Sequence, residues 1–356
     1  QDSEERVLQF DIQRTEELFN GWKDKKFGES KGLDALVGNR QLDVIIGGPP
    51  CQAYSVAGRI RDEHGMREDY RNYLFESYLK VVQHYKPRVF VFENVPGILS
   101  AKPGDGSVRI IDLIQKAFAD AGYAVLPDLS NAIIDMTEYG VPQNRKRIII
   151  LGVSKEHYGD KAEAMVEKFY SSYLPEYKIE KKATVRDAIG DLPKLRPLDE
   201  PISYLGRKLS HSVSDPLING HISRFHNKRD IELFKFLEED IASGRMKYTS
   251  AKSLKTLYTK LTGKTSNVHK YYVLRWDEPS NLIPAHLFKD GLRHIHPDPE
   301  QARTITVREA ARLQTFPDDY YFNCSQTDAF KMIGNAVPPL FAKKVAYAIY
   351  HLIQEN

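Results

Sequence analysis

DVIIGGPPCQAYS, residues 43–55, joins a short apolar run to two glycines, two prolines and Cys51, one of only two cysteines in the chain. The run is β-branched and bounded by turn formers, which is how a strand buried in a parallel sheet reads. A second such run, RVFVFENV (88–95), comes after YLFESYLKVVQHYKP (73–87), whose apolar residues recur at helical spacing until Pro87 stops them. GSVRIIDLIQKAFADAG (106–122) repeats the helical pattern and ends at Gly122. The end of YAVLPDLSNAIID (123–135) and RIIILGV (147–153) then supply two further strands. Strand, helix, strand, helix, strand is the order of a wound α/β sheet, and all four strands are expected to be parallel and buried.

The rest of the chain breaks this order. From Ser154 to about Glu300 the sequence turns polar, Lys- and Tyr-rich and irregular, which predicts an inserted second domain. Regular helical pattern returns in VREAARLQ and in PPLFAKKVAYAIYHLIQ. The expected division is therefore 1–153, 154–300, and a segment 301–356 whose last helix docks back on the first part. The net charge is only +3, but Gly206–Arg275 holds fourteen Lys/Arg against six Asp/Glu. That excess of eight leaves 3 − 8 = −5 for everything else. A concentrated basic surface suits a polyanion-facing module. Hydrophobic content of 41% and charged content of 28% fit a soluble protein, and no apolar run approaches the ~20 residues of a membrane span. QDSEERVLQF lacks the pattern of a signal peptide, and Cys51 and Cys324 make no disulfide framework. A reducing, cytoplasmic setting is expected, with no metal and no membrane partner.

In open α/β sheets ligands bind beyond the carboxyl ends of the strands, and those places hold GGPPCQ and ENV. A lone buried cysteine is usually inert filling, and Glu-Asn after a strand is often a turn. Their occurrence after adjacent strands of one sheet points instead to a nucleophile and an acid. The Pro-Pro pair limits the backbone before Cys51 and so aims the thiol, which needs help to ionise because its ordinary pKa is about 8.5. Glu93 can share a proton with a heterocyclic nitrogen.

Five segments, GGPPCQAYSVAGR, FVFENVPGIL, YGVPQNRKRIIILGV, TVREAARLQTFPDDYYF and IGNAVPPLFAKKVAYAI, resemble successive motifs of the cytosine-5 DNA methyltransferases, in that family's order. The resemblance implies a Rossmann-like α/β sheet of the S-adenosylmethionine-dependent methyltransferases, with a smaller inserted target recognition domain in the basic segment. It implies that Cys51 adds to C6 of a cytosine flipped out of duplex DNA while Glu93 meets N3, so that C5 takes a methyl group from S-adenosylmethionine. Arg147 is expected at the cytosine O2 and Arg145 at the catalytic loop or a phosphate, the two pointing the same way because they alternate along an incipient strand. Gln143 shares their motif and is expected to face DNA. The polar segment after Cys51 is expected to close over the flipped base, with Gln52 and Ser55 facing DNA and Arg59, Arg61 and Arg71 reaching phosphates. Asp11, Ile12, Pro50, Asn335, Ala336 and Val337 are expected around the cofactor, and Arg308 as a brace within the protein. Arg224, Lys228 and Arg229 are candidate DNA contacts.

The same family opens with a Phe-x-Gly-x-Gly loop for the cofactor and an acidic residue after it, and neither has a counterpart here. FGESKG from Phe27 is out of order and has no strand before it. The expectation is that this segment belongs to the protein but not to these 356 residues. The alternatives are a split enzyme whose partner polypeptide supplies the loop, or a cofactor-deficient relative that only binds DNA. Methylation of cytosine in RNA is a further alternative, as is a cysteine hydrolase using His64, His84, His294 or His296, which would leave Glu93 and the Gln143–Arg147 motif unexplained. The expected partners are double-stranded DNA and a cognate restriction endonuclease, for a monomer working on the bacterial nucleoid.

Overall fold

The computed structural model describes residues 7–49, 74–102, 108–289 and 291–356. Pro50, Cys51, Gln52, Ser55, Arg59, Arg61, His64 and Arg71 lie outside them. The chain divides into two compact units. One takes the chain up to Ile134, Lys146–Glu176 and Ala348–Asn356; the other takes Asp135–Arg145 and Tyr177–Tyr347.

The first unit begins with helix α1 (Thr15–Asn20), a hairpin of β1 (Trp22–Asp24) and β2 (Gly28–Ser30), and helix α2 (Gly32–Val37). Then come β3 (Val44–Gly47), α3 (Leu74–Tyr85), β4 (Val89–Asn94), α4 (Ile110–Asp120), β5 (Tyr123–Ala124), β6 (Ile133–Asp135) and β7 (Lys146–Ser154). The sheet order is β3-β4-β7-β5, with β6 beside β7. β3 and β4 are parallel, with Val44 opposite Val89 and Gly47 opposite Phe92. Side chains alternate across a strand, so Phe90 and Phe92 share one face of β4, and Val89, Val91 and Glu93 the other. The phenylalanine face is sealed by α3 and α4: Phe90 lies 4.3 Å from Phe118 between ring centres, and Phe92 lies 5.5 Å from Tyr78.

Two expectations are corrected. RIIILGV is not parallel to its neighbours: β7 runs antiparallel to both β4 and β5, pairing Asn94 with Ile148 and Ala124 with Val153. Only two single turns of 3-10 helix, Leu129–Ala132 and Met136–Tyr139, and no α-helix lie between β5 and β7, and a parallel neighbour usually needs a crossover α-helix. Nor is every strand buried on both faces. β3 is the edge of the described sheet, and Ile46 is 76% exposed there.

After β7 come α5 (Lys155–Tyr158) and α6 (Lys161–Lys168). α6 packs on β7 and buries Ala162, Met165 and Val166. The first unit therefore extends to Glu176 rather than stopping near residue 153. The second unit holds α7 (Val185–Ile189), a hairpin of β8 (Pro197–Tyr204) and β9 (Arg207–His211), α8 (Lys228–Ala242), α9 (Ala251–Thr262), α10 (Val307–Leu313) and α11 (Gln326–Asn335). It also holds the start of α12 (Pro339–Gln354), whose last turns belong to the first unit. One core gathers Ile189, Leu274, Ile283, Ala310, Leu313, Phe330 and Ile333, so α10 and α11 share the interior of the second unit, and of the segment 301–356 only the end of α12 belongs to the first. The other core joins Phe234 and Leu237 of α8 to Leu254 and Leu257 of α9, with Tyr271 and Val273. Among the described residues no helix is long and apolar enough to cross a membrane.

Candidate active site

β3 and β4 end side by side, and their register sets which residues meet beyond the strand ends. Gly47 stands opposite Phe92, so Gly48 and Pro49 run out beside Glu93 and Asn94. Both glycines leave room for a neighbour. A Cβ on Gly47 would lie 2.3 Å from Cε2 of Tyr78, and one on Gly48 would lie 3.1 Å from Oε2 of Glu93. Tyr78 fixes the strand pair from below, donating its hydroxyl to the carbonyls of Val91 (3.0 Å) and Ile45 (3.3 Å). Asn94 is fully buried; its Nδ2 donates to the Pro49 carbonyl at 3.4 Å and its Oδ1 accepts from Val95 N at 2.9 Å. The peptide leading into Pro50 and Cys51 is thus tied to the strand that carries Glu93.

Glu93 is held from the other side by β7. Arg147 Nε lies 2.9 Å from Glu93 Oε1, in a pair whose side chains are 11% and 20% exposed, and Arg147 Nη1 donates to the Lys146 carbonyl at 2.8 Å. Arg147 reaches Glu93 because β7 is antiparallel to β4: with Asn94 opposite Ile148, the strand start comes alongside the end of β4. The result is a largely enclosed carboxylate fixed by a guanidinium.

Arg145 and Gln143 do not join it. Arg145 precedes the first residue of β7, so the two-residue alternation expected to align it with Arg147 does not reach it. Its guanidinium is buried in the second unit, donating to the carbonyls of Ala336 (2.9 Å), Gly334 (3.3 Å) and Ile283 (3.4 Å). Gln143 is fully buried: its Nε2 donates to the Leu313 carbonyl at 3.0 Å and binds Gln314, and its Oε1 accepts from Ile283 N at 3.1 Å. These contacts place Gln143 inside the fold, with no face for DNA. They do fix the Asn335–Val337 turn, because Gln314 Nε2 also donates to the Ala336 carbonyl. Asn335 itself stays exposed at the end of α11.

The remaining expected residues have partners of their own. Asp11 is exposed and caps a surface turn, accepting from Gln13 N at 3.0 Å, with Ile12 half-buried beside it. Arg224 donates to the carbonyls of Leu287 (2.8 Å) and Phe288 (3.0 Å) and stacks 4.5 Å over Phe330, so its guanidinium serves the fold. Lys228 and Arg229 are exposed at the start of α8 and pair with Glu200 and Asp230. Arg308 is the brace expected of it, donating to the carbonyls of Tyr320 (2.8 Å), Asn219 (2.9 Å) and Pro317 (3.2 Å).

Sequence reasoning missed the polar centre of the second unit. Arg303 and Glu309 are fully buried and form two hydrogen bonds, 2.7 and 2.6 Å, while Gln301 Oε1 accepts from Arg303 as well. Burial alone would raise the Glu309 carboxyl, but Arg303 holds it well below the usual carboxylate range. Burial keeps nearby His296 neutral, its pKa lowered to about 3. One signal was available: Thr306 and Glu309, like Thr184 and Asp187, form reciprocal caps at the starts of α10 and α7, and both stand in the sequence as TVRE and TVRD.

Residues 17–351 match the family model of C-5 cytosine-specific DNA methylases. The chain is 38% identical to the type II methyltransferase M.Bpa9945I of Bacillus paralicheniformis, over 88% of this chain and 71% of that one. It is 32% identical to the type II methyltransferase M.AgeI of Thalassovita gelatinovora, over 91% and 86%. Among solved structures, a prophage-encoded DNA modification methyltransferase of Escherichia coli shares the fold with a TM-score of 0.61 at 22% identity, covering 97% of this chain and 86% of that one.

Proposed function

The chain belongs to the C-5 cytosine-specific DNA methylase family, and from that premise we propose that Cys51 and Glu93 carry its chemistry, with Arg147 positioning Glu93. As a member it is an enzyme that methylates C5 of cytosine in DNA, and the family's methyl donor is S-adenosylmethionine. The observation that supports these roles is the Glu93–Arg147 pair set beside the Gly48–Pro49 peptide that leads to Cys51. The Cys51 thiolate adds to C6, and the electrons pushed towards N3 are met by a proton from Glu93. C5 is then nucleophilic and takes the methyl group, which the cofactor supplies as an electrophile. Loss of the C5 proton to a base, return of the N3 proton to Glu93 and departure of the thiolate from C6 restore the aromatic ring and free the cysteine. Among the described residues Arg147 Nη2 has no partner, which suits it to the cytosine O2. A base stacked in a duplex cannot be reached this way, so the target is flipped out.

Asn335, Ala336 and Val337 of the second unit are the residues we propose for the cofactor there. Two side chains hold the Ala336 carbonyl and leave Asn335 exposed, the arrangement of a rigid rim for a polar ligand. Asp11, Ile12 and Pro50 complete the proposed set. We further propose a monomer that acts on duplex DNA in the cytoplasm, with a cognate restriction endonuclease, as the type II names of its relatives suggest. The test is incubation with labelled S-adenosylmethionine and duplex DNA, followed by mapping of 5-methylcytosine. Cys51→Ala should abolish transfer and leave DNA binding largely intact; equal transfer by parent and variant would remove Cys51 from the mechanism.

A further inference from the structure

The most lopsided surface charge in the chain lies in the stretch Ile241–Trp276, which has eight Lys/Arg and no Asp or Glu. Helix α9 is its centre. Leu254 and Leu257 bury one side of the helix against Phe234 and Leu237 of α8. At 100° per residue, Lys252, Lys255, Thr256, Thr259 and Lys260 fall within an arc of about 140° on the opposite side. All five are exposed, as are Lys247 and Lys264 at either end of the helix.

Some exposed lysines elsewhere in this protein have acidic companions, while others, such as Lys25, Lys80, Lys161 and Lys235, have none among the described residues. Lys116 pairs with Asp120, Lys155 with Glu163, Lys178 with Glu138 and Lys331 with Asp328. Even Lys228 and Arg229 on the neighbouring α8 are paired. Among the described residues Lys252, Lys255, Lys260 and Lys264 form no ion pair. Folding does not ask for this arrangement. Lys252 and Lys255 repel one another three residues apart, and Lys252 sits in a first turn with no acidic residue, where the helix dipole disfavours a cation. A face that opposes its own helix and lacks counter-ions is complementary to an external polyanion. Lys252 and Lys260 are about 12 Å apart along the helix axis, a length over which one DNA strand presents three or four phosphates. Thr259 between them adds a hydroxyl, whereas that of Thr256 donates to the Lys252 carbonyl at 3.0 Å, and neither hydroxyls nor ammonium groups on phosphates read sequence.

We propose that the exposed face of α9 is a sequence-independent clamp for the phosphate backbone of duplex DNA, separate from whatever part of the second unit reads the bases. This rests on the DNA-methylase reading and adds a second contact surface to it. The test is binding of the full chain to target and non-target duplexes over a salt series, for the parent, Lys252→Gln/Lys255→Gln/Lys260→Gln, the matching triple arginine variant, and Lys116→Gln as a control. Each phosphate contact contributes about 0.9 to the slope of log K against log salt, so the glutamine triple should be shallower by up to about 2.7 on both duplexes. The same cytosine should still be methylated, and the arginine triple should keep the parent slope. An unchanged slope in a normally folded glutamine triple would overturn the clamp, and so would a changed target preference, which would make the face a base reader. Loss of slope in both triples would assign the effect to altered folding and refute it too. Parent methyl transfer, measured alongside, separates this outcome from failure of the functional reading.

Discussion

Replacing Arg147 by methionine removes the guanidinium that fixes Glu93 and keeps much of the side-chain bulk. The lost contact is a 2.9 Å ion pair between side chains that are 11% and 20% exposed, enclosed enough to escape most solvent screening. Such a pair couples by about 0.5–3 kcal/mol, and at 1.36 kcal/mol per tenfold the variant should lose about 2- to 150-fold in kcat/KM for methyl transfer. Glu93→Gln keeps a group that can accept from Arg147 but cannot give up a carboxylic proton, and general acid catalysis is worth about 10²–10⁴-fold. The informative measurement is the double-mutant cycle, read as labelled methyl transfer to duplex DNA at subsaturating substrate. If Arg147 works by holding Glu93, the double variant loses less than the product of the two single losses, with a coupling of about 0.5–3 kcal/mol. Additive losses would mean that Arg147 acts on the base alone, and the positioning role would fall.

Packing and burial lead to two more expected outcomes. Gly47→Ala drives a Cβ to 2.3 Å from a buried tyrosine ring whose hydroxyl is already tied to two carbonyls, so denaturant unfolding should show a loss of about 1–3 kcal/mol; parental stability would show that β3 and Tyr78 separate more easily than this geometry allows. Glu238 is fully buried on α8 and neither carboxylate oxygen has a hydrogen-bond partner, so burial raises its pKa well above the ordinary carboxylate value, only partly countered by Arg303. The folded state keeps a proton that the unfolded chain loses above about pH 4.3, so stability should fall by about 1.36 kcal/mol per pH unit from there up to the folded pKa. Glu238→Gln should remove that contribution from thermal melts taken between pH 5 and 8, and parallel curves for parent and variant would refute it.

How much of this was legible depended on which physical signal each feature left. The β3–β4 pair and Glu93 were readable, because β-branched runs ending in turn formers mark strand ends, and chain order puts neighbouring strand ends together. The reversal of β7 was not, since a buried strand has the same composition in either direction and RIIILGV carries no mark of its polarity. Arg145 and Arg147 differ by a strand boundary one residue away, a precision that sequence pattern lacks. Gln143 and Arg224 read as ligand-facing groups because polar residues in a motif attract that reading. Their actual acceptors, at Leu313, Leu287 and Phe288, are far along the chain and visible only once it is folded.

Those buried side chains share a physical cause. Between Gly263 and Thr306 the described residues form no named helix or strand, yet this stretch supplies much of the second unit's interior, including Leu274, Ile283 and Ile295. Buried backbone carbonyls without a ladder must find donors elsewhere, or each costs the free energy of a lost hydrogen bond. Arginine, with five donors in a fixed fork, can satisfy several at once. Arg145 takes the carbonyls of Ile283, Gly334 and Ala336, Arg308 those of Asn219, Pro317 and Tyr320, and Arg224 those of Leu287 and Phe288. In the irregular stretch itself the guanidiniums of Arg145 and Arg224 stand in for secondary structure at Ile283, Leu287 and Phe288. These arginines therefore divide by partner: Arg147 lies beside the carboxylate proposed for the chemistry, whereas Arg145, Arg224 and Arg308 hold backbone carbonyls and keep the second unit in one shape.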